Sequence, residues 1–121
     1  MSATSYPDLI DHLNAAIAKL RAGAPEPMRA FGMLARESLK PGALDTRTKE
    51  LIAVGIAIAT RCDGCIGFHA KAAIKAGASR EEILETLSMA IYMGAGPSMI
   101  YAAEALRAFD ELSPGADGGA A

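Results

Sequence analysis

Cys62 and Cys65 are the only two cysteines of the chain, and they stand three positions apart in the segment Cys62-Asp63-Gly64-Cys65. Two thiols this close invite either a reversible disulfide or a shared metal ion. His69 follows Cys65 by about one helical turn, and Glu50 lies upstream of both cysteines. On a helix, positions 62, 65 and 69 share one face. Helical neighbours three apart have Cβ atoms about 5–6 Å from one another, so a small adjustment closes a disulfide between them. A helix beginning at the cysteines also contributes a partial positive charge and unpaired N–H groups. These stabilise the thiolate, which is the reactive form. His69 is placed to take the thiol proton, and Glu50 to orient and polarise His69. Cys65, Cys62, His69 and Glu50 are therefore the candidate catalytic residues.

Each has a plainer reading. The cysteines could be inert thiols or half of a zinc site, but a structural zinc wants four ligands. Cys62, Cys65 and His69 supply three, and His12 is distant, behind a Pro/Gly break, so the fourth would have to come across a subunit interface. His69 alone would be an ordinary histidine. Glu50 alone would be an acid near a helix start, where the dipole favours it. A thioredoxin-type motif belongs to a βαβ context that this chain lacks, and attachment of a c-type haem needs a histidine directly after Cys65, where Ile66 stands. The residues call for no cofactor and no resident metal.

Glu50 can reach His69 only if the helix after the cysteines folds back along the one before them. Counted as unbroken helix, Glu50 lies about 18 Å before Cys62 and His69 about 10 Å after it. About 8 Å of axial offset then remains for two side chains and a water to span.

The elements that would do this positioning read as helices throughout. Ile10, Leu13, Ile17 and Leu20 fall on one helical face, ahead of a break at Gly23-Ala24-Pro25. Met28, Phe31 and Leu34 or Ala35 mark a second helix, closed by Lys40-Pro41-Gly42. Asp45 or Thr46 caps a third, which runs through the apolar stretch Leu51 to Ala59. Because that stretch is apolar on all sides, it is expected to be the buried central helix. A fourth helix follows the cysteines and ends at Gly77. Ser79 and Glu82 form a capping box for a fifth, reaching about Met93. Gly94-Ala95-Gly96 breaks the chain, and Pro97 suits the first position of a sixth helix, ending near Leu112. The expectation is an all-α bundle of about six helices in a single domain. Residues 1–24 form an N-terminal helix, 25–112 the core and 113–121 a disordered Gly/Ala-rich tail.

Composition narrows the function. The chain has 121 residues, half of them apolar, and a formal charge of −2 with acids and bases mixed. That gives no basic footprint for nucleic acid and no polybasic membrane patch. With no tryptophan, a base-stacking platform is not expected. The N-terminus has no signal-peptide core, and the longest apolar stretch is far short of the roughly 20 residues that span a bilayer. A cytoplasmic protein is expected, and in that reducing setting a close cysteine pair is more often catalytic or metal-binding than a structural staple. The alanine- and glycine-rich helices and the apolar third helix point to a homo-oligomer.

The pattern Glu50, Cys62, Cys65, His69, set in TRTKELIAVGIAIATRCDGCIGFHAKAAIKAGASREEILET, resembles the core motif of the alkylhydroperoxidase AhpD family within the carboxymuconolactone decarboxylase-like superfamily. The resemblance covers about Thr46 to Gly96. It implies an AhpD-like helical fold, a trimeric or hexameric assembly, and a thiol peroxidase cycle. In the family's characterised peroxidase the second cysteine attacks the peroxide and the first closes the disulfide. Carried over, Cys65 attacks, Cys62 resolves, and Glu50 and His69 relay the proton. Reducing power there comes from a lipoylated carrier; a thioredoxin-like protein is the other candidate donor. One departure stands out. The characterised peroxidase has a histidine just before its attacking cysteine, and here that position is Gly64, preceded by Asp63. The relay is shorter, and Asp63 adds negative charge that works against thiolate formation.

The sequence thus reads as a thiol-dependent hydroperoxide reductase. The alternatives are a non-catalytic metal-binding or assembly protein on the same fold and, more weakly, a carboxymuconolactone decarboxylase-type lyase. The last is disfavoured because the superfamily's decarboxylases lack this cysteine pair.

Overall fold

The computed structural model describes residues 4–115, and the described residues form helices joined by short connections. Helix α1 (Tyr6–Gly23) starts where the Ser5 side chain accepts the Asp8 N–H, with Pro7 in its first turn. Pro25 opens α2 (Pro25–Leu39). Asp45 caps α3 (Thr46–Ala59) by accepting the Thr48 N–H at 2.8 Å. Helix α4 (Asp63–Lys75) has Cys62 as its N-cap. Helix α5 (Arg80–Leu112) opens with the expected capping box, Ser79 and Glu82 bonding each other's backbone N–H at 3.0 and 2.8 Å.

Helix α5 is in effect two helices. Ala95 has φ 58° and ψ −144°, far from helical values. Arg80 donates twice to the Asp110 carboxylate, at 3.0 Å from both Nε and Nη2. Thirty residues of straight helix would hold these residues about 45 Å apart, so the arms 80–94 and 96–112 must fold back on each other. The sixth helix expected from Gly94-Ala95-Gly96-Pro97 is the second arm. Gly94 is needed for the bend, since a Cβ there would sit 1.8 Å from Ser98 Oγ.

Helices α3 and α4 and both arms of α5 enclose the core. Val54 and Ile58 from α3, Ile66 and Ala70 from α4, and Ile83, Leu87, Ala102, Ala105 and Phe109 from α5 are buried together. The alanines let the helices approach closely. Helix α1 closes one side through Tyr6, which is 1% exposed and lies under the Arg107 guanidinium, 4.6 Å from the ring centre.

One expectation needs correction. Helix α3 is not buried all round: Val54, Ala57 and Ile58 face inward, while Ile52 and Ile56 are 47% and 58% exposed. One face is enough to cover α4 and α5, and among the described residues none buries Ile52 and Ile56 on the other. The amphipathic α2 likewise buries none of its residues. Most of the tail expected over 113–121 lies outside the described residues. Among the described residues, no helix is long and apolar enough to cross a membrane.

Candidate functional site

The site is made at the turn from α3 to α4. Helix α3 ends in a Schellman motif, with the Arg61 N–H bonding Ile58 O at 3.1 Å and the Cys62 N–H bonding Ala57 O at 3.0 Å. These two bonds satisfy carbonyls that a helix end otherwise leaves free. They also turn the chain sharply, so α4 starts at once and runs back along α3. Cys62 becomes the N-cap, in extended conformation, and its Sγ accepts the Cys65 N–H at 3.2 Å. Sulfur here fills the role usually taken by a Ser or Asp oxygen.

Cys62 and Cys65 are joined by a disulfide, with Cα atoms 5.2 Å apart. That separation is within the ordinary disulfide range. Both cysteines are partly exposed, but they differ in setting: Cys65 packs against the core cluster, and Cys62 sits at the helix tip.

Glu50 and His69 meet directly, with Glu50 Oε1 2.6 Å from His69 Nδ1. The bridging water allowed for in the sequence reading is not needed. Helix α3 stops at Ala59 and α4 starts at Asp63, so Glu50 lies about 13.5 Å from the end of its helix and His69 about 9 Å from the start of its own. The remaining offset of about 4.5 Å is within reach of two side chains. Glu50 is 4% exposed, whereas the His69 side chain is 35% exposed. A carboxylate acceptor on Nδ1 fixes the proton there and leaves Nε2 as the acceptor nitrogen. Glu50 also borders a cleft of about 460 Å³ lined by Thr46, Arg47, Ala72 and Lys75, which connects the buried carboxylate to solvent.

The structure therefore joins Cys62 to Cys65 at the α3–α4 turn and Glu50 to His69 further along the same helix pair. Three features of the surroundings are not evident from motif spacing. Arg61, next to Cys62, is in left-handed conformation with φ 57°. Helix α1 lies across α4 where Gly64 and Gly67 leave room: a Cβ would sit 2.8 Å from Leu13 Cδ1 at Gly64 and 3.1 Å from Tyr6 Cδ1 at Gly67. The Tyr6 phenol is held protonated well above its ordinary range, by burial first and then by the carboxylates of Glu104 and Asp63. Among the described residues, no group of three or more His, Cys, Asp or Glu side chains is placed to share a metal ion.

A side chain at Gly64 would require Leu13 to shift, because its Cδ1 lies 2.8 Å from the Cβ position. Gly64→His is expected to lower stability by about 1–3 kcal/mol, the usual range for overpacking. Leu13→Ala in the same chain should return part of the loss. Urea midpoints of the single and double variants check this, and equal midpoints for wild type and Gly64→His would contradict it.

Residues 25–108 match the carboxymuconolactone decarboxylase family. An uncharacterized protein of Cupriavidus necator is 36% identical over 104 residues, covering 86% of this chain and 92% of its own. An uncharacterized protein of the cox locus of Paracoccus denitrificans is 43% identical over 83 residues, covering 69% of this chain and 75% of its own. Among solved structures, an apo carboxymuconolactone decarboxylase family protein from Legionella pneumophila superposes with TM-score 0.87 at 52% identity, over 89% of this chain and 96% of that one. A family member from Thermotoga maritima, for which involvement in an antioxidative response has been suggested, gives TM-score 0.76 at 28% identity, over 85% and 88%.

Proposed function

The chain belongs to the carboxymuconolactone decarboxylase family, and on that premise we propose that it is a thiol-dependent hydroperoxide reductase of the AhpD-like kind, working in the cytoplasm. The observation that carries this reading is the Cys62–Cys65 disulfide at the start of α4, with His69 about one helical turn after Cys65 and bonded directly to Glu50. The antioxidative response suggested for the Thermotoga maritima relative is consistent with it.

The cycle balances with these residues and an external dithiol. The Cys65 thiolate attacks the terminal peroxide oxygen. The O–O bond breaks, an S–O bond forms, and the leaving alkoxide takes a proton from the His69 imidazolium. Cys62 then displaces water from the Cys65 sulfenic acid, giving the disulfide seen in the structure. An external dithiol returns two electrons and two protons, reopening the pair. In sum, one hydroperoxide and one dithiol yield an alcohol, water and a disulfide. Glu50 keeps Nδ1 protonated, so Nε2 is the nitrogen that exchanges protons with the reacting groups. Placing Cys65 as the attacking residue rests on His69 one turn further along α4 and on the family resemblance.

The test is peroxide consumption by the purified chain, with dihydrolipoamide, thioredoxin and glutathione supplied in parallel. Turnover with at least one is the expected result, and no consumption with any of them would sink the reading.

The same reading includes a homo-oligomer, with a trimer or hexamer favoured by the resemblance. Ile52, Ile56, Met89 and Met93 line an uncovered apolar groove between α3 and the first arm of α5. Phe31 and Leu34 of α2 are 65% and 62% exposed. Exposed apolar surface of this kind ordinarily marks an interface. Light scattering at micromolar concentration should give a multiple of the 12.5 kDa chain mass. Ile56→Glu should shift it towards the monomer. A monomeric wild type would contradict the assembly but not the chemistry.

A further inference from the structure

Thr60, Thr86, Ser88 and Ser113 each donate to the carbonyl oxygen four residues earlier, at 3.0, 2.9, 2.8 and 2.6 Å. Ser98 does not. The helical path back to Gly94 is broken at Ala95, and the Ser98 hydroxyl bonds no group among the described residues. Ser98 is nonetheless only 7% exposed. A buried hydroxyl left unpaired lowers stability. A serine in this position therefore points to a partner that the chain itself does not supply.

Ser98 lines an apolar groove of about 450 Å³ between α3 and the first arm of α5. That volume is in the range of small-molecule pockets. Ile52 and Ile56 line it from α3, and Met89 and Met93 from α5. Among the described residues, no charged side chain lines it. Thr86, the other hydroxyl of the lining, already donates to Glu82 O. Ser98 Oγ lies beside Gly94, at the end of the first arm. The groove thus carries its available hydrogen-bonding group at one end, and from there to Thr86 it runs about 12 Å along the arm. Glu50, Cys62, Cys65 and His69 take no part in its lining. Ile56 and Met93 stand out at the rim, where a neighbouring copy can rest on them, whereas Ser98 is buried at the base.

We propose that this groove is a second binding site, one that takes an uncharged amphiphile: a medium-length alkyl chain ending in one hydroxyl, carbonyl or amide group. The chain lies between the two isoleucines and the two methionines and buries apolar surface against both helices. The end group meets the Ser98 hydroxyl, which can both donate and accept a hydrogen bond. The same lining disfavours an ionised end group, because no cation is at hand to offset its loss of water. The flexible thioether side chains of Met89 and Met93 adapt to chains of different shape. The site therefore selects by charge and by the single polar group more than by detailed outline.

Octanol and octanoate test this, since they share an alkyl chain and differ in a neutral hydroxyl against a carboxylate. Titration calorimetry on the full chain gives the affinities, and the amide chemical shifts of Gly55, Gly94 and Ser98 locate the site. Octanol is expected to move these amides and to bind at least about tenfold more tightly than octanoate. Ser98→Ala should weaken octanol binding about two- to tenfold, the worth of one hydrogen bond. Without ligand, Ser98→Ala should melt at the same temperature as wild type or higher, because it removes an unpaired hydroxyl. Gly55→Leu should fill the groove and abolish octanol binding, and replacing a helical glycine favours the fold. Equal affinity for the two ligands, or undiminished octanol binding in Ser98→Ala, would overturn the proposal. So would a lower melting temperature of Ser98→Ala, which would show that the hydroxyl serves the fold. If octanol leaves the three amides unmoved, as when a neighbouring copy fills the groove to its base, the ligand site does not exist.

Discussion

Cys65→Ser is expected to abolish peroxide consumption, leaving only the background reaction of the added dithiol. A serine hydroxyl at this position cannot act as the nucleophile, because His69 would have to deprotonate an alcohol rather than a thiol. Cys62→Ser is expected to behave differently. Cys65 should still be oxidised by the first equivalent of peroxide, with loss of its one thiol, but steady turnover should stop because no partner closes the disulfide. Comparing a single-turnover burst with steady-state consumption separates the two variants. The disulfide is local, joining the N-cap of α4 to its first turn, and serine is close to cysteine in size, so both variants should keep the helical fold. Helical circular dichroism close to wild type in both variants would establish that. One observation runs against the assignment. The N–H at the start of α4 is donated to the Cys62 sulfur, at 3.2 Å, and such a bond favours the Cys62 thiolate. If the N-cap bond outweighs His69, Cys65→Ser will keep the burst and Cys62→Ser will lose it.

The second large effect belongs to the proton relay. Glu50→Gln and His69→Ala are each expected to slow peroxide oxidation of the reduced chain by about 10²–10⁴-fold, the usual worth of general acid–base help. The two changes act on one unit, so the double variant should be little slower than the worse single one. Glu50→Gln is the sharper probe. It keeps the shape of a buried side chain and still offers an oxygen to Nδ1, but it removes the charge that stabilises an imidazolium. Stopped-flow thiol oxidation measures the rate, and thermal melting checks that the fold is kept. A rate within twofold of wild type in His69→Ala would remove histidine from the mechanism.

Much of this arrangement was legible in the sequence. The Ser79–Glu82 capping box, the Asp45 cap and the break at Gly94-Ala95-Gly96 are local signals. They depend on residue type at fixed offsets, and the structure follows them. The pairing of Cys62 with Cys65 and of Glu50 with His69 was also expected from spacing and the family motif, and the structure contains both. Other features depend on non-local packing or on atypical backbone. The apolar run of α3 predicts burial on every side, but a chain this size covers only the face carrying Val54 and Ile58, leaving Ile52 and Ile56 outside. The direct Glu50–His69 bond depends on where α3 stops, which the Schellman turn decides. That turn is hard to foresee because arginine, not glycine, occupies its left-handed position. The closeness of α1 to Gly64 follows from tertiary packing that no spacing rule encodes.

The central claim is that peroxide oxidises Cys65 first and Cys62 then closes the disulfide. Dimedone trapping with mass spectrometry, on reduced Cys62→Ser and Cys65→Ser chains given one equivalent of hydroperoxide, tests it most directly. The expected result is a dimedone adduct on Cys65 in Cys62→Ser and little or none on Cys62 in Cys65→Ser. An adduct on Cys62 alone would reverse the order of the two cysteines. Absence of an adduct in both variants would contradict the peroxidase account as a whole.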